Sequence, residues 1–130
     1  FVNRSGDNYI AYLWHSVEGY SSFGNYDARG GTQQFVYTGF PVGFLMVKRT
    51  DSADNWTVHD VGRDPTGNPS DSYLLYDNNA AEATYSTALV DFYSNGFCWK
   101  GAVNYGNNSS GTYVYMAFSR GTGFKYSTAI

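Results

Sequence analysis

The sequence predicts an all-β domain, an antiparallel β-sandwich of about ten short strands. Three observations predict it. The chain holds 13 Tyr, 9 Phe, 3 Trp and 15 Gly among 130 residues. Helix formers are scarce, and aromatic and β-branched residues suit a pleated, half-buried surface. Apolar extended runs recur roughly every ten residues, separated by Gly, Pro, Asn and Ser, which is the spacing of a sandwich or barrel. The stretch Val90-Asp91-Phe92-Tyr93-Ser94-Asn95-Gly96-Phe97 sets Asn-Gly between alternating runs. That pair suits a type I′ hairpin turn, where both central residues need φ > 0.

Strands are expected at residues 8–15, 20–27, 34–39, 44–50, 56–60, 72–76, 89–93, 97–101, 112–119 and 124–127. Phe44-Leu45-Met46-Val47 is continuously apolar, as in a central strand buried on both faces. Trp56, Val58 and Asp60 alternate with Thr57 and His59, the pattern of a half-buried strand. Residues 78–83 are the one place where a helical turn is expected. The loop 62–70 contains Pro65, Gly67 and Pro69 and must be irregular. The stretch 104–111 is rich in Gly, Asn and Ser and reads as an exposed loop.

Eight Lys and Arg stand against eleven Asp and Glu. The cations are scattered, so neither a phosphate-tracking surface nor a polybasic membrane patch is expected. The longest apolar run is far too short to cross a bilayer. The first residue is Phe, not Met, so the chain reads as a processed form or as the ordered part of something longer. The single cysteine, Cys98, sits in Phe97-Cys98-Trp99 and is expected to be a buried small apolar group with no intramolecular disulfide partner.

The two ends of the chain echo each other. Tyr9 aligns with Tyr113, Ile10 with Val114, Trp14 with Phe118, Gly19 with Gly123 and Tyr20 with Phe124. Internal repetition signals a modular array. On this reading residues 1–27 are closing strands of an upstream repeat packed on the main domain, and 28–130 form the sandwich module. Residues 8–24 are then expected to be ordered and buried, because an unpaired edge of Tyr9, Ile10, Tyr12 and Trp14 would promote aggregation.

Several stretches resemble a family of bacteriophage virion modules. They are Phe35-Val36-Tyr37-Thr38-Gly39-Phe40, Phe44 to Asp51 followed by Asn55-Trp56, Asp91 to Phe97, and Gly111 to Phe118. Tyr9-Ile10-Ala11-Tyr12 with Val17 to Gly24 resembles the junction between tandem copies. This is the tail-fibre and structural-protein family of aquatic phages, and the resemblance covers most of residues 8–127. It implies a concanavalin-like, jelly-roll sandwich in the virion, on a tail fibre or the outer particle surface. It departs from the family pattern at Pro41-Val42-Gly43 and in the 62–70 loop, where a variable binding surface could sit. It implies no catalytic residues.

A glycoside hydrolase needs two facing carboxylates. Only Glu18 and Glu82 are Glu, and Asp60 and Asp91 fit solvent-facing strand positions. His15 and His59 have no nucleophile-elbow serine to serve, so no enzyme is expected. Asp51, Asp54 and Asn55 in one turn, or Asp60 with Asp64, offer the hard oxygen donors calcium takes. The same composition also suits an ordinary Asx turn. For a sugar, the candidates are Trp56, Arg63, Asp64, Tyr73, Tyr76 and Tyr105, an aromatic and polar set near loops.

The expected function is therefore a non-enzymatic module that attaches the particle to a host-surface glycan or receptor. The alternatives are a structural spacer or capsid-decorating module and, third, a fragment of a glycan depolymerase. Expected partners are that glycan and other virion subunits, in a homo-oligomer expected to be trimeric, with no nucleic acid and no membrane insertion.

Overall fold

The computed structural model describes residues 4–64, 68–85 and 89–121. Among these residues nine strands run in chain order: β1 (Ser21–Asp27), β2 (Gln34–Tyr37), β3 (Val42–Arg49), β4 (Thr57–Asp60), β5 (Ser72–Leu75), β6 (Ala83–Thr84), β7 (Val90–Tyr93), β8 (Gly96–Trp99) and β9 (Thr112–Ser119). They form an antiparallel β-sandwich. One sheet has six strands in the order β1-β9-β3-β4-β5-β6, and the other has three in the order β2-β8-β7. No helix occurs among the described residues.

The all-β expectation holds, and eight of the expected strands are present with shifted ends. The expected strand at 124–127 lies outside the described residues. The helical turn expected at 78–83 is not formed. Asn78 instead accepts the Ala80 N–H through its side chain (2.8 Å), an Asx turn that competes with helix, and Ala83 enters β6.

The hairpin between β7 and β8 also corrects the sequence reading. Tyr93 pairs with Gly96, so the two turn residues are Ser94 and Asn95 and Gly96 is already in the sheet. The reason is a close approach that is remote in sequence. A Cβ on Gly96 would lie 2.2 Å from the Val36 carbonyl oxygen and 2.9 Å from the Phe35 ring. Glycine is required there by the neighbouring strand, not by the turn.

Between the sheets lies one core. Leu45, Val47, Leu89, Val90, Phe97, Trp99, Tyr113 and Ala117 are fully enclosed. Burying a large apolar side chain of this kind contributes about 2 kcal/mol. Tyr26 and Tyr113 stack with centroids 5.3 Å apart. Their hydroxyls donate to the carbonyls of Gly106 and Asn104, each at 2.7 Å. Asn107 ties the loops at that end. Its Oδ1 accepts from the N–H groups of Arg29 and Gly30, and its Nδ2 donates to the carbonyls of Thr32 and Gly101. Cys98 is buried and free, as expected.

The arm before β1 departs from expectation. Residues 8–15 form no strand, and residues 8–16 are exposed, not buried. The β9 strand, to which this segment is similar, already has β1 on one side and β3 on the other, so that slot in the sheet is filled. The arm instead reverses through a tight turn at Val17–Tyr20, where Gly19 takes φ +76° and Tyr20 N–H bonds the Val17 carbonyl. Residues 21–24 do become structural, as part of β1.

Candidate ligand-binding surfaces

Strand register decides which side chains leave the core. In β3, Leu45 and Val47 point inward, so Phe44 and Met46 point outward. Following the paired positions across the sheet gives one outward row: Phe23, Met116, Met46, Val58 and Leu74, from five adjacent strands. All five are apolar. Phe118 lies beside this row in edge or tilted contact with Tyr20, Phe23 and Phe44. This row gives the six-stranded sheet an apolar stripe on its outer face as well, with Asp60 (paired to Phe44) and Lys48 (paired to Val114) in the rows beside it.

A groove of about 600 Å³ opens on this outer face, lined by Trp14, Phe44, Met46, Trp56, Tyr76, Asp77, Met116 and Phe118. Trp56 and Tyr76 flank the paired strands β4 and β5, and Tyr76 N–H bonds the Trp56 carbonyl at 3.0 Å. Asp77, the one charged group among the described lining residues, accepts the Trp56 backbone N–H at 3.2 Å.

The outer face of the three-stranded sheet has different chemistry. Its register sets Tyr37, Gly96 and Tyr93 in one row and Phe35, Cys98 and Asp91 in the next. With no side chain on Gly96, Phe35 leans across to meet the Tyr93 ring edge-on at 5.9 Å. Three exposed rings therefore share this face. Beside them Lys100 Nζ pairs with Asp91 Oδ2 at 2.8 Å, and the Tyr93 hydroxyl lies 3.3 Å from the same oxygen. That hydrogen bond raises the Lys100 pKa and keeps the ammonium charged. Partial desolvation, then the Asp91 charge, raise the Tyr93 pKa, so its hydroxyl stays a donor. Beyond Tyr93 a second hollow of about 360 Å³ is lined by Pro41, Val42, Phe92, Tyr93, Ser94 and Arg120.

The six sugar-site candidates from sequence divide into two groups. Trp56 and Tyr76 meet in the apolar groove. The other four gather around His59. Tyr73 lies against His59 and Tyr105, at 6.4 and 5.2 Å between ring centroids. Arg63 pairs with Glu82 and donates to the Val58 carbonyl. Asp64 is buried and accepts the N–H groups of Asp71 and Ser72, which holds the start of β5. His59 is fully enclosed, and neither ring nitrogen has a hydrogen-bond partner of good geometry among the described residues. Burial, then the nearby Arg63 charge, lower its pKa to about 4, which keeps the ring neutral.

The calcium candidates turn toward a cation of the chain itself. Arg49 donates to Asp51 through Nε (2.8 Å) and one terminal nitrogen (3.2 Å), and through the other to Asp54 at 3.4 Å. The Arg49 hydrogen bond lowers the Asp51 pKa to about 2. Asn55 is half-buried in the same turn. Among the described residues no three His, Cys, Asp or Glu side chains converge as a metal site. The other carboxylates weighed from sequence also have local partners: Asp91 pairs with Lys100, and Asp60 accepts the Gly62 N–H at 2.7 Å.

Phe35, Tyr37 and Tyr93 were not singled out from sequence. Their signal was present as aromatics at every second position of β2 and next to the hairpin turn. Which face they occupy depended on register.

Residues 2–121 match the family described as Domain of unknown function (DUF7483). The chain belongs to this family. No curated protein and no solved structure matches it. The arm, both sheets and both outer surfaces lie within the DUF7483 boundaries.

Proposed function

We propose that this DUF7483 domain is a non-enzymatic module of the exterior of a phage particle, and that it attaches the particle to a host-surface glycan through the outer face of the three-stranded sheet. The virion setting rests on the resemblance of its strand motifs to phage tail-fibre modules. The glycan reading rests on one observation: the exposed rings of Phe35, Tyr37 and Tyr93 share a face with the Asp91–Lys100 pair. A sugar presents an apolar C–H face and a rim of hydroxyls. Tyrosine rings offer flat contact at low entropy cost, and a carboxylate and an ammonium can accept from and donate to hydroxyls. The site is shallow, so single-site binding is weak, and multiple copies on one particle raise avidity.

The test is a glycan array probed with the chain held as a tetramer on a carrier. Saturable binding to a defined glycan is expected, with Tyr37→Ala and Tyr93→Ala each lowering affinity about tenfold, the loss of one aromatic contact. Binding unchanged in both variants, or no binding by a folded tetramer, contradicts the reading.

A further inference from the structure

We propose that the apolar outer face of the six-stranded sheet is a self-association surface, covered by the amino-terminal arm of a second copy of this chain. This goes beyond glycan attachment, since it uses the opposite face of the sandwich.

The row Phe23, Met116, Met46, Val58 and Leu74 crosses five strands without a charged side chain. Sugars, nucleic acids and anionic lipid headgroups all require polar or charged partners, which this row does not offer. An apolar protein segment fits it. The row itself is half-buried, with Val58 buried, and it runs into an open groove whose walls Trp14 and Tyr76 are 56 % and 72 % exposed; contiguous apolar surface of this kind marks protein contacts.

The chain itself carries a matching segment. From Asn8 to Trp14 the arm has no charged residue. Ile10 is 82 % exposed and Leu13 91 % exposed. One of its residues already shows where such a segment rests: Trp14 forms a wall of the groove, and Tyr12 stacks on Trp14 at 6.0 Å. The groove, at about 600 Å³, has room for several apolar side chains beyond that indole. The arm's own Ile10 and Leu13 point to solvent, not into it. A second copy supplies what one chain leaves open: its Ile10, Tyr12 and Leu13 fill the groove, and its own groove receives an arm in turn. Such an exchange closes without leaving either surface bare. It leaves Phe35, Tyr37 and Tyr93 free on the far side, so every copy in the assembly keeps its glycan face.

The test is sedimentation equilibrium of the full chain across the micromolar range, with two variants. The wild type is expected to show a mass of two or more chains. Leu13→Asp, at a side chain exposed in the single chain, leaves the fold intact and weakens association at least tenfold. Met46→Lys, on the receiving face, does the same. As a second measurement, chains carrying Leu13→Cys mixed with chains carrying Met116→Cys, a groove residue, form a disulfide between copies under mild oxidation. A wild type that remains monomeric throughout overturns the proposal and assigns the face to a different partner. So does association that Leu13→Asp leaves unchanged.

Discussion

The two outer faces of this sandwich are built from the same aromatic-rich vocabulary and present opposite chemistry. On the six-stranded sheet the outward row is Phe23, Met116, Met46, Val58 and Leu74, with Asp77 at the groove. On the three-stranded sheet three rings stand next to a bonded ammonium and carboxylate. Aromatic content alone therefore does not name a partner. What separates the faces is the polar group the register places beside the rings. Flat rings beside an ammonium–carboxylate pair suit a hydroxyl-rich ligand, while a groove of rings and thioethers whose described lining has the Asp77 carboxylate but no cation suits another protein.

The largest effect is expected from truncating a side chain on each face of one strand. Leu45 is fully enclosed between the sheets and Met46 faces outward. Leu45→Ala should cost about 3–4 kcal/mol of unfolding free energy, while Met46→Ala in the monomeric chain should cost less than about 1 kcal/mol. Urea denaturation of both variants measures this, and comparable losses would mean that both faces are interior.

Acid provides the next largest effect. In the folded chain His59 resists protonation down to about pH 4, whereas the unfolded chain takes up that proton near 6.5. Between these values the unfolded state binds more protons. Stability is therefore full above pH 6.5, falls as pH drops toward 4, and levels off below that. The whole window is worth about 3 kcal/mol. Denaturation midpoints at pH 7 and pH 4.5 test it, and His59→Phe should flatten this slope.

Asn107→Ala comes next, at about 2 kcal/mol, because it orphans two N–H groups and two carbonyls at one end of the sandwich. The smallest effect is expected from calcium. Arg49 already engages the Asp51 and Asp54 carboxylates. Millimolar calcium or EDTA should leave the thermal midpoint unchanged in a calorimetric scan.

These contrasts also show what the sequence could carry. The continuous apolar run Phe44 to Val47 read as a central strand buried on both faces; β3 is central, but Phe44 and Met46 on its outer side are only half-buried. The run could not say that, among the described residues, the second face is met only in part, by Trp14 of the arm. Asn95-Gly96 read as a turn because local rules favour it, yet the contact that fixes Gly96 comes from Val36, sixty residues earlier in the chain. The arm read as a buried strand because its residues match those of β9. Burial depends on an available slot, and β1 and β3 fill both sides of β9. Trp56 and Tyr76 converge because β4 pairs with β5, while Tyr73 faces inward toward His59. Loop proximity in sequence could not separate the two groups.

The contrast between the faces is tested most directly by comparing glycan-array binding of three carrier-held tetramers: wild type, Tyr93→Ala and Trp56→Ala. Fixing the valency on the carrier removes any effect of self-association. Tyr93→Ala is expected to lose about tenfold in affinity while Trp56→Ala binds as wild type does. Loss of binding in Trp56→Ala with Tyr93→Ala unaffected would contradict it and move the sugar to the apolar groove.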